Sequence, residues 1–404
     1  MTRQRGVFGL AIALALGGAA RADFGDPVIG LTADELQRFT DGQAAFASVE
    51  EADEGLGPIF NGTSCGGCHT AGALGGGSDT VETRFGTTTG GAFDPLASLG
   101  GSLIQSQGIG AAGACNFVGE VVPPQATIRA SRRTTPLFGL GLVDAVPDAT
   151  FVALARTQAR RTPATAGRPN MVANVVSGGT SVGKFGWKAQ VPSLMQFSGD
   201  AYVNEMGITT PMFPDEMCPN GDCSLLACDP VPGVDDDLED VEAFNAFMSF
   251  LAPPPRLGPL DFTLASAQLQ QTFPGTSSSG LARGGSRVFG RIGCDDCHAP
   301  TLTSGPSPVA ALSRRRFRPY SDFLLHDMGN LGDGIEQGTA TGREMRTAPL
   351  WGLHVITTFL HDGRATTIED AILAHEGQGD RARDRFLALR PIERASLLAF
   401  LRTL

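Results

Sequence analysis

The sequence predicts a mainly α-helical protein in which two similar units stand in tandem and long loops and insertions interrupt the helices. The first observation is a repeated pattern, C-x-x-C-H, at residues 65–69 and again at residues 294–298. The second is a loop-rich composition, with 53 Gly and 26 Pro among 404 residues. The third is a helical pattern near the end of each half, at residues 235–250 and 391–404.

The C-x-x-C-H spacing has a chemical reason. Two thiols so placed add to the two vinyl groups of one haem, and the next imidazole then lies beneath the iron as proximal ligand. A zinc site would need two pairs that fold together, and a redox dithiol would not require the histidine. The sequence therefore predicts two cytochrome c-like domains, each with a covalently attached haem c, held by Cys65, Cys68, His69, Cys294, Cys297 and His298.

Length and charge limit the organisation and the partners. A chain of 404 residues suggests two or three domains, and the prolines at 253–255 must end the helix at 235–250, which predicts domains at residues 23–256 and 257–404. The formal net charge of −11 argues against nucleic acid or an anionic membrane as the partner, because phosphate binding requires clustered Lys and Arg. A basic redox protein is compatible with it.

The N-terminal residues predict the compartment. Arg3 and Arg5 precede an apolar run at residues 6–18 and a small-residue site that ends at Ala22, which is the order of a secretory signal peptide at residues 1–22. The run is too short to span a bilayer, and the remainder has no apolar stretch of eighteen residues. We expect a periplasmic protein without a membrane span.

Four cysteines lie outside the two motifs: Cys115, Cys218, Cys223 and Cys228. An oxidising compartment favours disulfides, and four cysteines allow three pairings between which the sequence does not choose. A structural role is favoured over a reactive thiol, because nothing nearby in sequence would lower a thiol pKa.

Local signals predict several elements. Thr32 and Glu35 form a capping box that begins a helix running to about Ser48. Residues 71–113 are rich in Gly, Ser and Thr and predict long loops, which often serve a site or a lid. Phe60 and Phe289 each precede a motif and could pack on its porphyrin.

A second repeat supports duplication. R-T-T-P begins at Arg133, R-T-A-P begins at Arg346, and a related K-A-Q-V-P begins at Lys188. In each copy a cation stands just before a proline turn, which suits charge-assisted hydrogen bonds to haem propionates. A single copy would be an ordinary turn, but recurrence favours propionate contact by Arg133 and Arg346.

The segments G-L-G-P-I-F-N, R-T-T-P-L-F-G-L-G-L-V, F-G-W-K-A, P-Y-S-D-F-L-L-H-D-M-G, R-T-A-P-L-W-G-L and F-L-H-D-G-R-A-T-T-I-E-D-A-I resemble the di-haem oxidoreductase family sometimes labelled thiol oxidoreductase. That family is similar to the bacterial di-haem cytochrome c peroxidases and to the di-haem enzyme that matures methylamine dehydrogenase. The resemblance implies that one haem transfers electrons with two protein ligands and that the other binds peroxide at an open iron position.

The resemblance also implies iron ligands. It places the distal ligand of the second haem at His375, which would form a bis-histidine centre with His298 where the relatives have methionine or tyrosine. The first haem is less determined, because the chain has no histidine between His69 and His298. Its iron is either open, which we favour, or closed by Met206, with Met328 as a weaker candidate.

Peroxide chemistry needs a group that moves a proton between the two oxygens. The resemblance implies Glu120, helped by Gln107 or Gln105, and either Trp187 or Trp351 could bridge the haems. A small cytochrome or cupredoxin would supply electrons, and the resemblance allows a calcium ion. The alternatives are an electron-transfer cytochrome without substrate chemistry, favoured if Met206 ligates the first iron, and a haem-based sensor or accessory protein.

Overall fold

The computed structural model describes residues 22–257 and 277–404. The predicted signal peptide therefore lies outside the described residues except for Ala22, and so does the beginning of the predicted second domain, residues 258–276. Within the described ranges, no helix combines the length and the apolar character needed to cross a bilayer.

The structure is 35% helix and 15% strand, so helix exceeds strand, and the mainly α-helical class with two tandem haem domains stays a prediction. The helices are α1 (Ala33–Ala47), α2 (Cys65–Cys68), α3 (Leu140–Asp144), α4 (Asp148–Arg161), α5 (Leu194–Met206), α6 (Glu239–Phe250), α7 (Ser278–Ile292), α8 (Ile368–Leu373), α9 (Asp380–Leu387) and α10 (Pro391–Leu401). The strands are β1 (Ile59–Phe60), β2 (Val81–Thr89), β3 (Ala92–Asp94), β4 (Gln107–Gly108), β5 (Gly110–Ala112), β6 (Cys115–Phe117), β7 (Ile128–Arg133), β8 (Met171–Ala173), β9 (Thr180–Val182), β10 (Leu302–Thr303), β11 (Arg316–Phe317), β12 (Leu325–Asp327) and β13 (Glu344–Arg346).

Helix α1 begins as the sequence predicts. The Thr32 hydroxyl accepts from the Glu35 N–H at 3.3 Å, and a Glu35 carboxylate oxygen accepts from the Thr32 N–H at 2.7 Å. This confirms the capping box, which satisfies two of the N–H groups that a helix start leaves unpaired. The helix buries Phe39 and Phe46 and packs against α6.

Helix α6 is shorter at its start than predicted. It begins at Glu239 because Asp236 accepts hydrogen bonds from the N–H groups of Leu238 and Asp240, which holds residues 235–238 as a cap. It ends at Phe250, before the prolines, as expected. The acidic residues at 235–240 thus form the start of this helix.

Residues 71–113 are not only loops, which corrects the prediction. Strand β2 occupies residues 81–89 and is the central strand of the antiparallel order β3-β2-β7. Its turn into β3 is Gly90-Gly91, both with positive φ, the backbone that a two-residue hairpin turn requires. The alternation of β-branched residues with polar ones in V-E-T-R-F-G-T-T-T outweighs the glycine-rich composition around it.

The two largest hydrophobic clusters among the described residues follow the helices. The first contains the buried faces of α1, α5 and α6, and the second contains the packed faces of α7 and α10. Phe317, Phe323 and Trp351 belong to the first core although they come from the C-terminal half. The apolar core therefore does not divide at residue 256, and the boundary there stays a prediction.

The remaining cysteines form two disulfides, Cys115–Cys228 and Cys218–Cys223. The structural role predicted for them is confirmed, and the pairing that sequence left open is settled. The first closes a loop across 113 residues and the second across 5. Cys65, Cys68, Cys294 and Cys297 take part in neither disulfide.

We predict unequal contributions from the two disulfides. Loop-closure entropy gives about 4.7 kcal/mol for a loop of about 100 residues and about 2 kcal/mol for one of about 5. Replacing Cys115 and Cys228 together with serine should lower Tm by several degrees more than replacing Cys218 and Cys223 together, measured by calorimetry under non-reducing conditions. Equal decreases in Tm would show that loop-closure entropy does not set the relative contributions of the two disulfides.

Candidate functional site

A cavity of about 270 Å³ lies beside the second motif. This is roughly twenty times the space that one water requires, so the cavity suits a large group. It extends from the second motif to the turn that begins at Arg133. Its lining includes charged, aromatic and metal-ligating side chains: Arg133, Trp187, Cys294, Cys297, His298, Arg346, His361 and His375.

The two motifs share one local geometry. The His69 N–H donates to the Cys65 carbonyl at 3.2 Å, and the His298 N–H donates to the Cys294 carbonyl at 2.9 Å. A single helical turn thus places both thiols on one side and the histidine directly after them. In the second motif Gly293 ends α7 in the left-handed region, with φ of 90°, so the chain turns sharply into Cys294.

His298 and His375 both line the cavity, with their ring centroids 6.4 Å apart and their ring planes inclined at 56°. Metal–nitrogen bonds to imidazole are about 2.0–2.1 Å long and the centroid lies about 1.1 Å further, so two rings on one metal have centroids roughly 6.2–6.4 Å apart. The observed spacing therefore fits an iron bound between them, and the residues present fit a haem at this site.

Each imidazole is oriented by a backbone carbonyl. His298 Nδ1 lies 3.0 Å from the Tyr320 oxygen, and His375 Nδ1 lies 2.7 Å from the Ala371 oxygen. A carbonyl only accepts, so both Nδ1 atoms carry the proton and Nε2 is the nitrogen left for a metal. Burial lowers the pKa of His298 to about 4 and also lowers the pKa of His375, which keeps both neutral.

Arg346 supplies a buried positive charge to the cavity. Its side chain is 7% exposed, its Nε donates to the Gly186 carbonyl at 2.6 Å and its Nη1 donates to the Thr347 carbonyl at 3.2 Å. Among the described residues it forms no ion pair within 4.0 Å, and burial lowers its pKa to about 10. Such a guanidinium suits an anionic group in the cavity, as a haem propionate would be.

Arg133 is held differently. Its guanidinium donates to the carbonyls of Ser78 and Thr358 and lies 3.5 Å from the exposed carboxylate of Asp79. The structure thus gives Arg133 one surface counter-ion that Arg346 lacks, and both arginines still line the same cavity.

Trp187 joins the repeated turns. Its Nε1–H donates to the Arg133 carbonyl at 2.9 Å, and its own carbonyl accepts from the Arg346 N–H at 2.9 Å. Its ring lies edge-on to His361 at 6.2 Å. Trp351 instead packs against Phe317 in the first core, so Trp187 is the tryptophan that lies between the two turns.

The segment after Trp187 is anchored by a buried charge cluster. The Lys188 ammonium lies 2.9 Å from Asp333 and donates to the Glu344 carbonyl at 2.6 Å, while Arg132 lies 2.7 Å from the same aspartate. Lys188 is fully buried and Arg132 is 1% exposed, so this network fixes the position of Trp187. Lys188 therefore serves as an anchor within the protein.

The first motif has no facing histidine among the described residues. His69 Nδ1 lies 2.9 Å from the Gly76 carbonyl, and its ring meets Phe46 edge-on at 5.7 Å. Burial lowers the pKa of His69 to about 4. This histidine is therefore neutral and oriented in the same way as His298.

An acid pair lies beside the first motif. Arg84 holds Glu82 with Nε and Nη2, at 2.8 and 3.3 Å, and the Glu82 carboxylate is hydrogen-bonded to that of Glu205. Asn61 Nδ2 donates to Glu205 at 3.0 Å, and Glu205 lies close enough to Cys68 for its ionised form to interact with that thiol. Burial, followed by the charge of Glu82, raises the pKa of Glu205 to about 8. At neutral pH Glu205 therefore holds the proton that the pair shares.

Sequence analysis missed this pair. Glu82 and Arg84 are two residues apart, which on a strand puts both side chains on one face, but the composition around them predicts a loop. Glu205 stands on α5, more than a hundred residues away. Only the spacing E-x-R could have indicated part of it.

Glu120 occupies a structural position. Its two carboxylate oxygens accept from the N–H groups of Gln105 at 2.9 Å and Asn220 at 2.7 Å, so it ties two loops together. Gln107 donates to the Asn61 carbonyl at 2.7 Å and is exposed. Gln105 is fully buried, donates to the Asn204 carbonyl at 3.1 Å, and its Oε1 has no partner among the described residues. Proton transfer by Glu120 and Gln107 stays a prediction.

The methionine and phenylalanine candidates lie in the first core or beside the second motif. Met206 is 3% exposed in the first core, and Met328 lines the cavity beside the second motif. Phe289 lines that cavity and tilts toward His298 with centroids 6.5 Å apart. Phe60 is buried in the first core. Ligation of the first iron by Met206 stays a prediction.

His326 was not assigned a role from sequence. Its Nε2 lies 2.9 Å from Asp322 Oδ2, and its Nδ1 lies 3.4 Å from Cys297 Sγ. Burial opposes a charge on this ring, but the Asp322 carboxylate outweighs it and raises the His326 pKa well above its usual value. Gln158 donates to the same carboxylate at 2.7 Å. A buried ion pair thus lies against the second thiol of the second motif.

Solved structures of other proteins resemble the chain weakly. Hydrazine synthase of Kuenenia stuttgartiensis has 14% identity and a TM-score of 0.36, with 98% of this chain and 100% of that chain covered. A MauG-like protein associated with microbial copper homeostasis has 15% identity and a TM-score of 0.39, with 98% of this chain and 95% of that chain covered. A variant of the di-haem peroxidase BthA from Burkholderia thailandensis has 15% identity and a TM-score of 0.37, with 91% of this chain and 85% of that chain covered. Scores at this level do not establish a shared fold.

The family comparison is decisive. No curated protein matches the chain. The model of the family described as "Di-haem oxidoreductase, putative peroxidase" matches residues 124–404, which is more than half of the sequence and contains the second motif, His375 and both arginine turns. The first motif precedes the matched range. The chain belongs to the di-haem oxidoreductase family, and it is a peroxidase-like enzyme with haem cofactors.

Proposed function

We propose that this protein reduces peroxide at a haem c held by Cys65, Cys68 and His69, with electrons that enter at a second haem c held by Cys294, Cys297 and His298. The observation that carries the proposal is the inequality of the two sites. His298 faces His375 at the spacing of two ligands on one iron, whereas the structure places no second imidazole opposite His69 among the described residues. One iron would be closed and one open.

A bound haem would supply an iron that takes up electrons and, where a position is open, binds peroxide. The thiols of each motif would hold it covalently. His69 and His298 would ligate from the proximal side, and the carbonyls of Gly76 and Tyr320 keep them oriented. His375 would exclude peroxide from the second iron by occupying its remaining position.

The Glu82 and Glu205 pair is our proposed acid and base. Reduction of one peroxide to two waters takes up two protons and requires one proton to move from the nearer oxygen to the farther. Glu205 holds a proton at neutral pH and Glu82 is an ionised acceptor, so one hydrogen-bonded pair offers both functions. Gln105, whose Oε1 lacks a partner among the described residues, is a helper available beside Asn204.

Arg133 and Arg346 would bind propionates, with Trp187 between them as the bridge for electrons. A small cytochrome or cupredoxin is the proposed donor, and the acidic net charge of −11 suits a basic one. The signal-like residues 1–22 support a periplasmic location. The calcium ion that the resemblance allows has no located site among the described residues.

The test is stoichiometric turnover. Purified holoprotein is mixed with hydrogen peroxide and a reduced small cytochrome c, and donor oxidation is followed by absorbance. The proposal expects catalytic oxidation of two donor molecules per peroxide and inhibition by cyanide, which binds an open iron. Donor oxidation no faster than without the protein would contradict it.

Trp187→Leu should slow electron transfer between the haems. The substitution removes the ring between the two arginine turns and a hydrogen bond worth about 1 kcal/mol. The measurement is stopped-flow oxidation of the second haem after peroxide is added to protein reduced at that haem. Trp351→Leu is the control, because it removes a core tryptophan outside this path. An unchanged rate in Trp187→Leu would rule the bridge out.

A further inference from the structure

We propose that Tyr202 is a redox-active residue of the first centre: it gives one electron to that centre after peroxide has oxidised it and passes its phenolic proton to Asp240. The inference rests on the proposed function, because peroxide is the oxidant. It deepens that function by assigning a protein group that holds an oxidising equivalent while the second haem is not yet reduced.

Tyr202 is buried and paired with carboxylates. Its side chain is 2% exposed, and its hydroxyl donates to Asp240 Oδ2 at 3.3 Å and interacts with the Glu50 carboxylate. The charges of Glu50 and Asp240 both act on the Cys65 thiol. The Tyr202 phenol and the Cys65 thiol, which would hold the first haem, therefore lie beside the same two carboxylates.

Aromatic rings connect Tyr202 to His69. The Tyr202 ring meets Phe244 edge-on at 5.0 Å, Phe244 meets Phe46 at 6.1 Å, and Phe46 meets His69 at 5.7 Å. The chain of contacts is buried, since Phe46 and Phe244 are 3% and 2% exposed. A path of packed, buried rings thus leads from the proximal ligand to the phenol.

The carboxylates are suited to accept the proton. Burial raises the pKa of Glu50 and of Asp240, and the like charges of this cluster raise them further. Burial and the same charges raise the pKa of the Tyr202 phenol above its usual range, so it stays protonated at neutral pH. Oxidation lowers a phenol's proton affinity steeply, so the proton and the electron would leave together.

Reduction of one peroxide to two waters takes up two electrons and two protons. The electrons would come from the first haem centre and from the Tyr202 ring, and the protons from Glu205 and from solvent. The Tyr202 O–H bond breaks as the ring loses its electron, and the phenolic proton passes to Asp240, which leaves a neutral tyrosyl radical and a neutral aspartic acid. Two electrons delivered through the second haem then restore the first centre and the phenol, and the proton returns from Asp240 to the phenolic oxygen.

The chain offers a matched control because it has two tyrosines. Tyr320 packs its ring on Phe289 and Phe400, with centroids 5.9 and 5.8 Å apart, beside the second motif. Its position would not serve the first centre, so a radical confined to Tyr202 is distinguishable from one on any tyrosine.

The experiment uses fully oxidised holoprotein with no donor, mixed with one equivalent of hydrogen peroxide, frozen within milliseconds and examined by EPR. We expect a radical signal that narrows when the protein carries ring-deuterated tyrosine. It should be lost in Tyr202→Phe, kept in Tyr320→Phe and reduced in the double variant Asp240→Asn with Glu50→Gln.

Haem absorbance separates the two ways in which the experiment could fail. If peroxide leaves the absorbance unchanged, the proposed function itself is wrong. If the absorbance responds but the signal is absent, is insensitive to deuterated tyrosine or persists in Tyr202→Phe, the assignment to Tyr202 is overturned while peroxide chemistry stands. Because the deuterated wild-type protein carries no substitution, it tests for a tyrosyl radical even if Tyr202→Phe fails to fold.

Discussion

His375→Ala is expected to convert the second haem from low spin to high spin. His375 would supply the second strong ligand, and alanine offers none, so the ferric iron would lose the ligand field that pairs its electrons. Low-temperature EPR of the oxidised variant should show both haems high-spin. His375→Met should keep a low-spin centre and raise its reduction potential by on the order of 100 mV, within the ≈ 0.8 V that axial ligation spans.

His354→Ala is the matched control for this prediction. His354 packs against Phe24 with centroids 5.4 Å apart and is absent from the cavity lining. Its removal should leave the low-spin signal intact. If the low-spin signal of the second haem survived in His375→Ala but disappeared in another histidine variant, that other histidine would be the ligand.

Glu205→Gln should lower peroxide turnover by about 10² to 10⁴ fold, the range for loss of a general acid or base. The substitution keeps the shape and the hydrogen bond from Asn61 but leaves no transferable proton. Haem content and the absorbance of the oxidised protein should be unchanged. The measurement is the steady-state rate with a reduced cytochrome donor, normalised to haem.

The same residue predicts a pH dependence. Glu205 loses its proton as the pH rises through about 8, so the turnover rate of the wild-type protein should fall in that range. The turnover rate of Glu205→Gln should not show this fall. Stability moves the same way: between the unfolded value of 4.5 and the folded value of about 8, the unfolded chain binds fewer protons, so the free energy of unfolding decreases as pH rises.

Glu120→Gln decides between the two carboxyl candidates. Glu120 accepts two backbone hydrogen bonds at a loop junction, so its replacement should reduce stability and leave turnover near the wild-type rate. If Glu120→Gln abolished turnover while Glu205→Gln did not, proton transfer would belong to Glu120, as the family resemblance implied.

Local sequence signals predicted several features correctly. The capping box at Thr32 is decided by a few neighbouring residues, and the structure confirms it. Covalent haem attachment at the C-x-x-C-H motifs and propionate contact at the proline turns stay predictions. The repeated turns are brought together by Trp187, one of the two tryptophans that the sequence offers as a bridge.

Long-range pairings escaped sequence reasoning for a physical reason. Nothing local links Glu82 with Glu205 or Cys115 with Cys228, because each meeting depends on how β2, α5 and the intervening loops pack. The strand at residues 81–89 was missed because the glycine and threonine content of this region predicts a loop. Pairing with β7, which is distant in sequence, stabilises the strand.

The most direct test of the central claim is the low-temperature EPR spectrum of the fully oxidised holoprotein, because it reports the ligands at each iron without any substrate. We expect one low-spin signal from the centre between His298 and His375 and one high-spin signal from the centre at His69. Two low-spin signals would contradict the claim, because the first iron would then be closed to peroxide.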